Sequence, residues 1–187
     1  MKILFTILLF AVIASPLFSL EYHVKTGKEN LVKFISDAPI EDFEGITSKI
    51  DGYIASEDNY FGGAEIYLEV DLNSVETGIG LRDRHMREDY LMTEDHPFAK
   101  FSGKITKATA LEDGSFKVIA DGEVDIKGKK KAKKIEGIIS GKGDNINVKT
   151  DFTVLLSDHD IERPSLMMAK IADEIVLKLN FNMKKVD

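Results

Sequence analysis

Between Ser74 and Phe101 the chain gathers the side chains best able to do chemistry: Arg82, Asp83, Arg84, His85 and Arg87 in one short run, with His96-Pro97-Phe98 near its end. Two roles are open to such a cluster. Guanidinium and imidazole groups at the rim of a site orient a polar headgroup, whereas the same groups bonded to backbone and to each other brace a crossover. Acid–base catalysis by Asp83 and His85 is disfavoured, because residues two apart on a helix point in different directions. The four histidines, at 23, 85, 96 and 159, show no metal-ligand spacing. His159, between Asp158 and Asp160, reads as part of a polar loop. The chain carries no Gly-x-Ser-x-Gly elbow, no phosphate-cradling glycine loop and no His-Glu-x-x-His, and the carboxylate pair Glu41-Asp42 falls in a loop-like stretch. With no cysteine, thiol catalysis, Cys-ligated zinc, disulfides and c-type haem attachment are all excluded. Neither an enzyme, a metal site nor a cofactor is therefore expected.

The elements that must position the cluster are strands. Ala64, Ile66, Leu68, Val70 and Leu72 alternate with Glu65, Tyr67, Glu69 and Asp71. The same period of two runs through Phe116, Val118, Ala120, Val124 and Ile126, through Ile146, Val148, Phe152 and Val154, and through Ile175, Leu177, Leu179, Phe181 and Met183. Such alternation gives each strand one apolar face and one wet face. Weaker versions over 22–25, 31–36, 46–55, 98–106 and 135–141 bring the total to about eight or nine strands. Thr26-Gly27, Glu112-Asp113-Gly114, Ile126-Lys127-Gly128 and Gly143-Asp144-Asn145 are breaker clusters between them, short enough to make neighbours antiparallel. Strands with one apolar face must pack as two sheets or close into a barrel, and closure leaves no edge. Over 79–91 the alternation gives way to a helix, with Asp83 facing Arg87 and Arg84 facing Glu88 at i,i+4, and Pro97 is expected to stop it. A second irregular stretch, 158–171, contains Pro164 and the apolar cluster Leu166, Met167 and Met168, which suits a satellite core or an adaptable contact surface.

A length of 187 residues, with 43% hydrophobic and 30% charged, bounds the chain to one ordinary globular domain. A net charge of -7 argues against a general nucleic-acid binder. The one basic run, Lys127 to Lys134, reads as a solvated hairpin tip, with contact to anionic headgroups or an acidic partner as the alternative. Met1-Lys2, the uncharged apolar stretch Ile3 to Ala14 and the breaker Pro16 read as a secretory leader too short to span a bilayer. Residues 1–19 are thus expected to be removed, leaving 20–187 to work outside the cytoplasm.

The run Ser74, Thr77-Gly78, Arg82-Asp83, His85-Met86, Tyr90-Leu91, Pro97 and Phe101 resembles the signature region of the YceI-like family. The similarity extends from the opening strand at Tyr22, through Gly45 and Gly52, to Asp173-Glu174-Ile175. The resemblance implies an all-β, antiparallel, eight-stranded lipocalin-like barrel with a short crossover helix around 79–91. It also implies export to the periplasm and a long apolar ligand, such as a polyisoprenoid or isoprenoid quinone, held inside. On that expectation the ligand-binding residues are Phe34, Ile54, Ile66, Leu68, Phe101, Val118, Ala120, Phe152, Val154 and Leu177, with Arg82 and His85 at the rim. The partner is that long-chain molecule, contact with a membrane surface is transient, and a homodimer remains open. The first strands, Tyr22 to Pro39, are only loosely like the family's usual opening, and Asp37-Ala38-Pro39 followed by Ile40 to Gly45 reads as a lineage-specific version, in a region expected to line one side of the cavity.

The residues themselves bear on the same choice. An eight-stranded barrel is filled by its own side chains or holds one small ligand, according to their bulk. Ala64, Ala120, Gly122, Gly137 and Gly141 are small residues on faces read as inward. Burying ten carbons of a lipid tail offers roughly 8 kcal/mol, at about 0.8 kcal/mol per methylene, before ordering costs. The competing reading is a barrel plugged by its own side chains, acting as a structural or interaction module through Leu166 to Met168.

Overall fold

The computed structural model describes residues 20–36, 42–163, 165–166 and 169–186. Residues 1–19, expected as a leader, and Asp37-Ala38-Pro39, Pro164 and Met167-Met168 lie outside the described residues. The strands are β1 (Leu20–Val24), β2 (Leu31–Ser36), β3 (Phe43–Thr47), β4 (Ile50–Ser56), β5 (Glu65–Asp71), β6 (Phe98–Ala110), β7 (Phe116–Ile126), β8 (Lys129–Lys142) and β9 (Asn145–Leu155). A two-residue ribbon, β10 (Ser165–Leu166) and β11 (Ala169–Lys170), precedes the closing strand β12 (Glu174–Val186).

Burial follows the period of two that the sequence dictates: Val118, Ala120, Val124 and Ile126 are buried on β7, and Ile175, Phe181 and Met183 on β12. The strands run β1-β4-β5-β6-β7-β8-β9-β12, and β12 pairs with β1 again, so the sheet closes as an eight-stranded antiparallel barrel. Two of its staves are interrupted. One edge of β12 pairs β1 through Met183–Val186 and β2 through Ile175–Asn180, so β1 and β2 form one broken stave. The segment 46–55, expected as one strand, likewise breaks between β3 and β4. Thr47 Oγ1 accepts the Lys49 N–H at 2.9 Å, and Ile46 bridges Glu76 instead of β5. At Gly52, φ of +135° brings β4 so close to β5 that a Cβ would sit 2.1 Å from the Tyr67 carbonyl oxygen, which only glycine permits.

The basic run is corrected by the hairpin geometry. Only Lys127 and Gly128, at φ of 53° and 70°, form the turn, as a two-residue hairpin of twisted strands requires. The following lysines lie within β8, where Lys130 approaches Glu123 at 3.9 Å and Lys134 approaches Asp121 at 3.5 Å on β7. Part of the charge is thus compensated across the sheet.

Strand direction separates the two ends. At the bottom, the β4–β5 connection folds inward and packs Phe61 against Tyr22 and Phe116, with ring centroids 6.0 and 5.6 Å apart. Beside this plug Phe181 and Met183 are completely buried. At the top lie the long β5–β6 and β9–β12 connections. The first carries α1 (Gly80–His85), which continues as a π-helical segment Met86–Leu91, matching the expected helix. It ends earlier than Pro97: Met92 turns left-handed at φ 52°, and the Thr93 N–H reaches the Arg87 carbonyl at 2.9 Å. Among the described residues no ion pair joins Asp83 to Arg87 or Arg84 to Glu88. Asp83 turns inward instead, and the wider π turn removes the i,i+4 alignment those pairs need.

Candidate functional site

The top half of the barrel is hollow. A cavity of about 550 Å³ lies beneath the crossover helix, within the roughly 300–1,000 Å³ of small-molecule pockets. Its wall comes from the inward faces of the strands. Phe34, Ile54, Ile66, Leu68, Phe101, Val118, Ala120, Phe152, Val154 and Leu177 all line it, and so do Arg82 and His85. The structure therefore brings every candidate lining residue to one space. Several of these, including Ile66, Leu68, Phe152 and Leu177, are only half-buried although they point inward, because part of their surface faces the hollow.

The small residues need correction. Ala120 and Gly137 line the cavity, but Ala64 belongs to the packed lower core. Gly122 faces Gly103 across the β6–β7 pair, and the Phe101 ring lies within 3.0 Å of a Cβ at either position, so an aromatic ring takes the room they leave. Gly141 lies at the bottom hairpin, where φ of +110° is what its backbone requires. The room comes chiefly from the absence of a plug at the top.

The charged cluster braces the roof. Thr77 is its hub: its N–H donates to the Asp83 carboxylate at 2.8 Å and its hydroxyl donates to the same oxygen. Arg82 donates from Nε to Thr77 Oγ1 and from Nη2 to the Thr77 carbonyl, each at 2.7 Å. The Arg82 guanidinium also stands 4.6 Å over the Phe43 ring, tying the helix to β3. Buried Asp83 thus has its charge satisfied by donors. Below, Met86, Tyr90 and Leu91 turn their side chains onto the cavity from the π-helical segment.

The opening lies beside α1. Ile79 and Leu81 line the cavity while remaining 54% and 57% exposed, and exposed His85 lies beside them. Leu156, Ile161 and Ile171, from the β9–β12 connection, close the rest of the top. That lid is fastened to β8: His159 Nδ1–H donates to the Lys129 carbonyl at 2.8 Å, Lys129 pairs with Asp160 at 2.8 Å, and Lys131 approaches Asp158 at 3.6 Å. His159 is buried, at 2% exposure, and is a fastener where the sequence suggested a polar loop. The hydrogen bond and charge of Lys129 hold the Asp160 carboxyl below its ordinary range. Hydrogen bonds from Ser157 do the same for Asp173 at the far end of the lid, the hydroxyl contributing most.

Sequence reasoning missed much of the roof and the β2–β3 wall: Ser36, Phe43, Gly45, Thr47, Ile79 and Leu81 also line the space. The signal was present in the alternation of Val32, Phe34 and Ser36, and in the apolar Ile79 and Leu81 set beside a charged run. What the arrangement offers chemically is a largely apolar hollow whose roof charges Arg82 and Asp83 are bonded to Thr77.

Residues 22–183 match the model of the YceI-like domain. The chain belongs to that family. The YceI-like barrel seen here superposes on solved structures at low sequence identity. The polyisoprenoid binding domain from Saccharophagus degradans, implicated in plant cell wall breakdown, is 16% identical with a TM-score of 0.73, covering 89% of this chain and 99% of that one. BcnA of Burkholderia cenocepacia is 17% identical with a TM-score of 0.70, covering 85% and 98%. The Campylobacter jejuni YCEI protein is 18% identical with a TM-score of 0.62, covering 79% and 87%. At such identities the likeness establishes the shared fold. No curated protein matches the chain by sequence.

Proposed function

We propose that this YceI-like protein is an exported carrier that holds a long apolar lipid, of the polyisoprenoid or isoprenoid-quinone kind, inside its barrel, and acts by binding rather than by catalysis. The observation that carries this reading is the continuous apolar hollow of about 550 Å³ above a plugged floor. A barrel stabilised only by its own packing has no use for a void, since unfilled space costs stability. The structural neighbour from Saccharophagus degradans, described as polyisoprenoid binding, supports the choice of ligand class. The apolar leader at 1–19 supports export.

Loading needs an apolar path from a membrane. Ile79 and Leu81 provide one, being exposed and continuous with the cavity wall, with Arg84 exposed alongside for anionic headgroups. The compensated lysines of β8 are a poorer membrane contact. The test is organic extraction of protein purified from its native source, followed by mass spectrometry. One prenyl lipid at near-stoichiometric amount is expected, and an empty extract favours the structural-module alternative.

A further inference from the structure

Ser36 ends β2 and sits where the cavity wall breaks the rule that buried polar groups are paired. It is completely buried: the alternation of Val32, Phe34 and Ser36 puts it on the inward face among the lining residues, where the side chains packed over it must part for an occupant to reach it. Among the described residues, its Oγ is the one buried side-chain polar atom without a hydrogen-bond partner. The neighbouring hydroxyls contrast with it. Thr47 bonds Ser74 at 2.7 Å, and Thr150 donates to the Glu136 carbonyl at 2.7 Å. An alanine at position 36 would cost the empty protein nothing, so the unpaired hydroxyl points to a partner that arrives with the occupant.

We propose that Ser36 anchors one neutral hydrogen-bonding group, a hydroxyl or a carbonyl, on the lipid that fills the cavity. This rests on the carrier reading above and specifies its ligand as a polar-headed chain, not a bare hydrocarbon. A serine hydroxyl serves either group, donating to a carbonyl or accepting from an alcohol. The group must be neutral. Ser36 stands in register with Phe43 and Ile175, and Phe34 precedes it on the same face, so among the described residues its neighbours on that face are apolar and would penalise an unpaired charge. The nearest part of the roof brings Arg82 over Phe43, but that guanidinium is already committed to Thr77. Ser36 lies at the top end of its strand, so the polar group would sit under the roof while the chain runs down past Leu68 and Val118.

The experiment compares farnesol with farnesene, an alcohol and a hydrocarbon of matching carbon skeleton, by calorimetric titration of the delipidated full-length mature chain and its Ser36→Ala variant. The expected result is a loss of about five- to tenfold in farnesol affinity, with farnesene affinity nearly unchanged and no fall in Tm. Equal weakening of both ligands overturns the anchor and leaves Ser36 as a shaping residue. Unchanged affinity for both, with wild type binding both, overturns the anchor while keeping the carrier. If wild type binds neither, the carrier reading falls and the anchor with it.

Discussion

Filling the hollow separates a ligand container from a plugged barrel. Leu68 on β5 and Leu177 on β12 point inward from different parts of the wall and are only half-buried, since part of their surface borders the cavity. Leu→Phe adds three carbons at either site. If that volume displaces three carbons of lipid, the loss is about 2.4 kcal/mol, at about 0.8 kcal/mol per methylene, or about 60-fold in affinity. The double variant approaches twice that free energy as a ceiling, because a flexible chain slides toward the opening to recover part of it. Stability should move little or upward, as the new rings occupy empty space. In a well-packed core each such enlargement would instead cost about 1–3 kcal/mol, a fall of roughly 2–4 °C in Tm per kcal/mol for a domain of this size. Titration with a prenyl lipid and thermal unfolding of the same preparations read both quantities. A lowered Tm together with undiminished affinity would refute the container.

Three further perturbations test the roof, the opening and the lid. Thr77→Val removes the hydroxyl that donates to buried Asp83 and accepts from Arg82, and should cost about 2–3 kcal/mol in chemical denaturation; an unchanged midpoint would mean that the hub does not brace the helix. Ile79→Asp combined with Leu81→Asp should slow lipid uptake from vesicles on the order of tenfold, while stability stays within about 0.5 kcal/mol because both side chains are more than half exposed; unaltered uptake would place loading elsewhere. Asp160 and Asp173 both sit below their ordinary value of 3.8. A depressed carboxylate pKa favours the folded state above the unfolded value and loses that contribution as pH falls through the folded one. Lid loosening from these groups should therefore begin only below about pH 4. Hydrogen exchange over 156–173 measures it, and carboxylate-dependent loosening near neutrality, abolished by Asp160→Asn, would contradict the assignment.

The barrel was legible because alternation survives wherever one strand face is dry: β7, β9 and β12 announce themselves in their apolar residues. Legibility failed where a tertiary partner replaced the local signal. The lysines that open β8 carry no apolar rhythm, and they are held in a strand by its pairing with β7. His159 looks like a loop residue between two aspartates until the Lys129 carbonyl, thirty positions away, is placed beside it. Gly122 looked like vacant space because no local rule shows that the Phe101 ring from β6 lies across it. The lining residues were readable from periodicity and resemblance together, whereas the roof and lid that make the wall into a cavity depend on where long connections dock.

That difference explains why a charged crossover accompanies an apolar cavity in this chain. A barrel end with one apolar face per strand closes most cheaply with more apolar side chains, as Phe61 and Phe116 do at the floor. Roofing the top in the same way would fill the site. A crossover held by hydrogen bonds can span the end without inserting a plug: Arg82, from the lining, and Asp83, from behind it, meet at Thr77, and the helix hangs from that hub while Met86, Tyr90 and Leu91 cover the void. The polar brace also fixes where the opening falls, because anchoring the helix at Thr77 leaves Ile79 and Leu81 exposed in the approach to it. Replacing the hub by apolar packing should therefore change access to the cavity before it changes the strands, and a Thr77→Val protein that remains folded should exchange its lipid faster than wild type.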